Sequence, residues 1–331
     1  MPEGCTIIAH GPEVFDTGDI ETVSAALHPE EIIVAGVMAR TAAEESGFPC
    51  WFNTRPPSLV IRHLPPETDA WLLNRGKTPP ASGEEFGRIV ASRSDRPVYH
   101  IECSSRTVFG WNGADPPGLT EEAARRLGFA AVFKTADVRT PEGCMREIRG
   151  CIPGGEPVFV NGIVIGHATA EIAVIAPDEE GLRAVSGITL KAHGIEKLLR
   201  NGPVDISRAW CKSGAVRSQG AQVAERRAPP SGRIAVIDHA ACDIYSQVDT
   251  DTCGVVSIGD DTTAVCGHIC AHLGIPPIFG VTDGDADTVV DHSCCRGGSV
   301  IVEVTEGRDD EKGGLEIAST IPPLPATGTA G

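Results

Sequence analysis

Positive charge, aromatic rings and long apolar runs are all scarce in this sequence, and each shortage removes a class of function. The 331 residues hold 28 Lys or Arg against 45 Asp or Glu, a formal net charge of −17. Such a surface repels phosphate chains instead of neutralising them, so no nucleic-acid partner is expected. Aromatic residues make up 5% of the chain, which leaves an aliphatic core. No stretch approaches the roughly 20 apolar residues that cross a bilayer. Met1 to His10 lack the basic and long apolar regions of a signal peptide. The expectation is a cytoplasmic chain with no membrane partner. Twelve cysteines in such a chain are expected as reduced thiols or metal ligands, not disulfides.

What is present is a globular composition, 41% hydrophobic and 22% charged. The length exceeds what one core usually fills, so several domains are expected. The acidity is uneven. Residues 232–331 hold sixteen acidic residues against four Lys or Arg, whereas the first 231 hold 29 against 24. This concentration suggests local use, such as cation binding; a solubilising acidic face is the alternative.

Strand and helix signals alternate from the start. An apolar run at Thr6–Ala9 meets a loop, His10-Gly11-Pro12-Glu13 with Asp16-Thr17-Gly18. A helical stretch from Asp19 to Leu27, a second run at Glu31–Val37 and a helix at Arg40–Ser46 follow. The pattern returns with a strand at Ala70–Leu73, a helix at Gly83–Ala91 and a strand at Pro97–Glu102. Residues 1–115 therefore form an α/β domain with a parallel sheet. In residues 116–217, Asn161-Gly162 between Pro157–Val160 and Ile163–Ile165 signals a β-hairpin, because a type I′ turn needs positive φ at both central residues. With a run at Ala170–Ala176 and a helix at Leu190–Leu199, this is an α+β segment. Residues 218–232 read as a linker. Residues 233–321 return to α/β, with strands at Arg233–Ile237, Gly254–Ile258, Pro277–Val281 and Ser299–Val304, and helices at Cys242–Val248 and Thr262–Leu273. The tail 322–331 is expected to be disordered. The fold class is thus α/β, two Rossmann-like parallel-sheet units joined by a small α+β segment.

The chemistry concentrates in the last domain. Gly259-Asp260-Asp261-Thr262-Thr263 stands where a strand gives way to a helix, the position at which open parallel sheets bind ligands. Asp260 and Asp261 suit a hard cation, and Thr262 and Thr263 can cap the helix or donate to phosphate. Simple capping is the structural alternative. The next strand ends in Thr282-Asp283-Gly284-Asp285-Ala286-Asp287, whose alternate carboxylates share one side of an extended segment. Neighbouring strands lie roughly 5 Å apart. The two loops are therefore expected to converge, and a divalent cation is the simplest relief of the repulsion. Asp238-His239 ends the first strand of this domain, and Arg308, in Gly307-Arg308-Asp309-Asp310 after the last, can balance carboxylates or grip a phosphate.

These motifs, with Gly274-Ile275-Pro276, the His10–Gly18 loop and Asn74-Arg75-Gly76-Lys77-Thr78, resemble an archaeal family found mainly in methanogens and of unassigned function. The resemblance covers nearly the whole chain and implies an anaerobic archaeal setting. A narrower likeness is to phosphofructokinase-type sites. It implies metal and phosphate binding at Asp260, Asp261 and Thr262, with Asp283 or Asp285 as base, although that family's sugar-phosphate-binding elements are not evident. Toprim-type metal folds offer a comparable likeness.

Two further signals are weaker. Gly76-Lys77-Thr78 is no phosphate loop, because Trp71 stands where the first glycine belongs and Pro79-Pro80 where the helix should begin. Arg75 and Lys77 fit a solvated basic loop better than an anion site. Cys266, His268, Cys270 and His272 share one helix, with His292, Cys294 and Cys295 soon after, which admits a zinc or iron–sulfur site; packed thiols are the alternative.

The leading expectation is a protein dependent on Mg²⁺ or Mn²⁺ that binds or acts on a phosphorylated small molecule or nucleotide. Asp260, Asp261, Asp283 and Asp285 would hold metal, and Gly259, Thr262, Thr263 and Arg308 would bind phosphate. Asp283 or Asp285 would be the catalytic base. The alternatives are a non-catalytic regulatory or assembly protein of methanogen metabolism and a Cys/His metal or redox module.

Overall fold

The computed structural model describes residues 5–77, 81–113, 118–136, 145–200, 202–214, 217–220, 222, 224, 232–275, 278–282, 295, 297–304 and 310–320. The expected tail at 322–331 lies outside them. The chain is an α/β protein that divides into two compact units, Met1–Gln219 and Gly220–Gly331.

The first unit begins with β1 (Cys5–His10), α1 (Glu13–Asp16), α2 (Asp19–Leu27), β2 (Glu31–Ala35), α3 (Val37–Ser46), β3 (Trp51–Asn53) and α4 (Pro57–His63). It continues with β4 (Asp69–Asn74), α5 (Ala81–Ser92), β5 (Val98–Glu102), β6 (Thr107–Trp111), α6 (Leu119–Leu127) and β7 (Ala130–Lys134). The seven strands form one sheet in the order β3-β2-β1-β4-β5-β6-β7. β3, β2, β1, β4 and β5 run parallel, β6 is antiparallel to β5, and β7 is parallel to β6. The inner strands are continuous apolar runs because both faces are covered. Ile7, Trp71 and Tyr99 pack with α2, α3 and α6 on one face, while Ile8, Leu72 and Val98 pack with α4 and α5 on the other. The order of addition reverses at β1, with β2 on one side and β4 on the other, which makes the sheet doubly wound.

The sheet runs past the boundary expected at residue 115. Parallel β6 and β7 need a crossover, and α6 supplies it, burying Ala123 and Ala124 on the sheet. The signal was weak because β7 is a mostly exposed edge strand without clean alternation.

Two glycines let α5 press against buried polar groups on β5. A Cβ on Gly87 would lie 2.1 Å from His100 Nδ1, and one on Gly83 would lie 2.3 Å from Glu102 Oε1. His100 Nε2 donates to Asn74 Oδ1 at 2.6 Å, and burial holds its pKa down at about 4, so the ring is neutral.

The same unit continues with β8 (Arg146–Arg149), β9 (Pro157–Val160), β10 (Ile163–Ala168), β11 (Ile172–Asp178), β12 (Gly181–Ser186), β13 (Ile188–Leu190), α7 (Ala192–Leu199) and β14 (Cys211–Ser213). These strands make two antiparallel sheets, β13-β10-β9-β14 and β12-β11-β8, around Ile148, Val160, Ile165, Ile175 and Leu198. Asn161 (φ 50) and Gly162 (φ 82) turn β9 into β10 with the two positive dihedrals of a type I′ hairpin.

The second unit contains β15 (Arg233–Asp238), a 3-10 turn at Ala241–Asp243, α8 (Ile244–Gln247), β16 (Thr252–Ile258), α9 (Asp260–Leu273), β17 (Phe279–Thr282), β18 (Val300–Glu303) and α10 (Asp310–Ser319). Its strands are all parallel and lie in chain order, β15-β16-β17-β18. A Cβ on Gly280 would meet Thr263 of α9, and one on Gly314 of α10 would meet Ile258. Ser257 pairs in register with Gly280, so α9 packs on the Ser257 face and α10 on the opposite face, presented by Ile258.

Candidate functional site

The carboxyl edge of the second sheet carries Asp238, His239, Gly259, Asp260, Asp261 and Thr262. β15 ends at Asp238, and the chain turns at His239 with φ 48, a left-handed value uncommon for a residue other than glycine. His239 N donates to Ile258 O at 3.2 Å, and Gly259 N donates to Val281 O at 2.9 Å, so the three strand ends leave the sheet side by side. The His239 ring lies against its own neighbour: Nδ1 donates to Asp238 Oδ1 at 2.6 Å. The imidazole also closes on Gly259, where a Cβ would stand 3.0 Å from both Cδ2 and Nε2 and 3.5 Å from Thr262 Oγ1. A side chain there would have to push the ring aside, and the φ of 104 is one that residues other than glycine rarely adopt.

Gly259 is the N-cap of α9 and makes no side-chain cap. Glycine has no side chain with which to cap the first-turn amides, and the helix presents its positive end there. Asp260 and Asp261 occupy this turn and are 8% and 6% exposed, so two adjacent carboxylates are buried at one strand end. Thr262 is buried beside them.

Thr263 does not share that role. Its hydroxyl lies 3.0 Å from Ser257 Oγ in the helix–sheet interface, against Gly280. Helical rotation carries the fourth position of the turn back over the sheet, so Thr263 packs there. Thr282, 2% exposed, ends β17 beside Gly259. Asp283, Asp285 and Arg308 lie outside the described residues.

The cysteines of α9 behave as core residues. Cys266 and Cys270 are buried; burial, with Cys295 adding to it, pushes Cys270 up to about 12. Burial, then Cys270 and Cys295, raise Cys266 well above the usual thiol value. Among the described residues, no three His, Cys, Asp or Glu side chains are placed to hold a metal ion. Cys294 and His292 lie outside them.

The basic loop after β4 is committed to neighbours within its own unit. Arg75 holds Asp19 through two hydrogen bonds, 2.6 and 2.9 Å, and Lys77 pairs with Glu156 and reaches Ser213 O at 3.4 Å. It is neither an anion site nor a freely solvated loop. Its carboxylate partners are 56 and 79 residues away, beyond the reach of local reading.

A protein of Methanocaldococcus jannaschii, "Uncharacterized protein MJ0065", is 30% identical over 328 residues, covering 93% of this chain and 88% of that one. Among solved structures, a "GsuK Channel" is matched with a TM-score of 0.21 and 13% identity, over 96% of this chain and 64% of that chain, a likeness too slight to bear on fold or function. The family described as "Uncharacterized protein conserved in archaea (DUF2117)" matches residues 7–322, and the chain belongs to that archaeal family.

Proposed function

We propose that the second unit binds a divalent cation, Mg²⁺ or Mn²⁺, together with a phosphorylated small molecule such as a nucleotide, at the carboxyl edge of its sheet. The observation that carries this reading is the burial of Asp260 and Asp261 in the first turn of a 14-residue helix whose N-cap is an uncapped glycine. Buried carboxylates are stabilised by positive charge, to which the helix dipole contributes. Two adjacent carboxylates suit a divalent ion, and the amides of the turn suit a phosphate oxygen.

In this reading Asp260 and Asp261 hold the ion with Asp283 and Asp285, Thr262 donates to phosphate beside Gly259, and Arg308 balances charge. Asp283 or Asp285 is the base if a reaction follows. Asp238 fixes the His239 ring, so that Nε2 faces the Gly259 turn.

The test is a thermal-shift titration of the full chain with Mg²⁺ or Mn²⁺, with and without ATP. A ligand present at a hundred times its dissociation constant adds about 2.7 kcal/mol of stability. The expected result is a saturable rise that is lost in Asp261→Asn. A chain whose melting does not respond to either ion removes the proposal.

A further inference from the structure

Two arginines of the first unit, Arg93 just after α5 and Arg146 at the start of β8, are held by carbonyl oxygens. Arg93 Nη2 donates to Ser207 O at 2.8 Å, and Arg146 Nη2 donates to Ala209 O at 3.3 Å. These carbonyls stand two residues apart in the segment before β14, so one short stretch of chain holds both guanidiniums as neighbours. Elsewhere in the unit arginines grip acids, as Arg75 does Asp19 and Arg88 does Glu85. Arg146 is 8% exposed, and its Nε is buried with no hydrogen-bond partner among the described residues. An unmet N–H on a buried charged group is costly, and such a donor marks the place of an ion or ligand.

The groups around the pair do not supply that acceptor. Cys211, partly buried on β14, lies within the fields of both arginines, but burial raises its pKa against them, so it stays a neutral thiol. Asp205 is engaged nearby: its Oδ1 accepts from Ser207 N at 3.0 Å and from Ser207 Oγ at 2.5 Å, and its Oδ2 lies 3.7 Å from Arg208 Nε. Burial, then the charge of Arg146, lower the pKa of Arg93, and Arg208 adds to the repulsion. Three guanidiniums thus neighbour one carboxylate, a local positive excess in a chain whose formal net charge is −17.

We propose that Arg93 and Arg146 form a phosphate-binding site in the first unit, with Arg146 Nε and the outer N–H groups of Arg93 as its donors. A phosphate group carries about −1.5 to −2 at neutral pH, which matches the excess. Guanidinium forks meet its oxygens two at a time, and the bonds are charge-assisted. The site uses no metal ion and shares no residue with the cation and phosphate site of the second unit.

The probes are inorganic phosphate and glycerol 3-phosphate, with acetate as the carboxylate comparison. Each is titrated by calorimetry into the full chain at constant ionic strength and without divalent ions. The expected result is saturable binding of phosphate or its ester, unchanged in Asp261→Asn and weakened by about tenfold or more in Arg93→Gln. The tighter of the two probes identifies the source, free phosphate or a phosphate monoester. General electrostatics repels phosphate from so acidic a chain, so non-specific attraction does not produce saturation. Absence of saturable binding, equal affinity in Arg93→Gln, or equal affinity for acetate overturns the proposal. The wild-type chain gives a second reading: the Arg146 Nε–H signal in NMR is expected to shift along the phosphate titration with the same midpoint. A signal that does not move also overturns it.

Discussion

Arg217 and Asp16 stand 201 residues apart in the chain, and the guanidinium of one grips the carboxylate of the other with two hydrogen bonds, Nε to Oδ2 at 2.8 Å and a second, shorter one from Nη2 to Oδ1. The remaining arm, Nη1, donates to Glu45 Oε2 at 2.7 Å. The Arg217 side chain is 2% exposed, and Gln219 adds a bond to Asp16 O. The segment after β14 is thereby fastened to α1 and α3.

Removing this guanidinium takes away the positive charge that Asp16 and Glu45 share. Breaking a buried pair from one side costs about 3–5 kcal/mol. Arg217→Met is expected to lose stability of that order in urea denaturation at neutral pH. Arg217→Lys recovers only part of it, because an ammonium cannot offer the fork that serves both Asp16 and Glu45.

Gly87 presents a steric prediction. An added methyl would overlap the His100 ring, which is held on both sides by Asn74 and by Trp111 Nε1 at 3.4 Å. Gly87→Ala is expected to lift α5 from β5 and to cost about 1–3 kcal/mol despite the better helix propensity of alanine. Gly47→Ala would test left-handed backbone strain instead; as the steric reference, Gly220→Ala, where nothing among the described residues lies within 4 Å of the new methyl, should leave melting unchanged.

Two glutamates predict opposite responses to pH. Burial works to raise the pKa of Glu102, but hydrogen bonds from Ser105, Gly76 and Ser104 outweigh it and hold the value below normal. Its folded-state pKa lies under the unfolded one, so its contribution is present above the ordinary glutamate range and lost as pH falls through the folded value. Glu13 is raised, so its contribution is full below the ordinary value and is lost as pH rises through the folded one. In denaturation series from about pH 3 to about pH 7, Glu102→Gln should flatten the acid side of the profile and lower stability at neutral pH. Glu13→Gln should raise stability at neutral pH.

Thiol chemistry should follow burial. With Cys270 pushed up to about 12 and Cys266 raised well above the usual thiol value, almost no thiolate exists at neutral pH. Alkylation with iodoacetamide followed by peptide mass mapping is expected to leave both unmodified in the folded chain and to label both in denaturant. Labelling of Cys270 at the rate of a free thiol under native conditions contradicts the packing described for α9.

Much of the fold is legible in local residues. β1, β2, β4 and β5 are apolar runs whose limits shift by one to a few residues between expectation and structure. Asn161-Gly162 announces its hairpin, because two successive positive dihedrals admit few other residues. Helix α9 begins two residues before the expected Thr262, since Gly259 takes the cap position and lets both aspartates enter the first turn. β6 escaped notice although it is fully buried, because Thr107–Trp111 carries a glycine and no flanking helix signal. The pairs that organise the two carboxyl edges lay mostly out of sight. Asp238 beside His239 is visible as a sequence neighbour, but its hydrogen bond is a matter of the left-handed turn at His239.

The amino-acid order alone determined an α/β chain with an acidic last third and the position of Gly259-Asp260-Asp261 at a strand end, because periodicity and turn chemistry act over a few residues. Tertiary structure decided which charges are balanced: that Arg75 belongs to Asp19, Arg217 to Asp16 and Glu45, and Thr263 to Ser257, while Glu13 has no side-chain donor among the described residues. Electrostatics depends on distance through space and on burial, and neither is written in the spacing of residues along the chain.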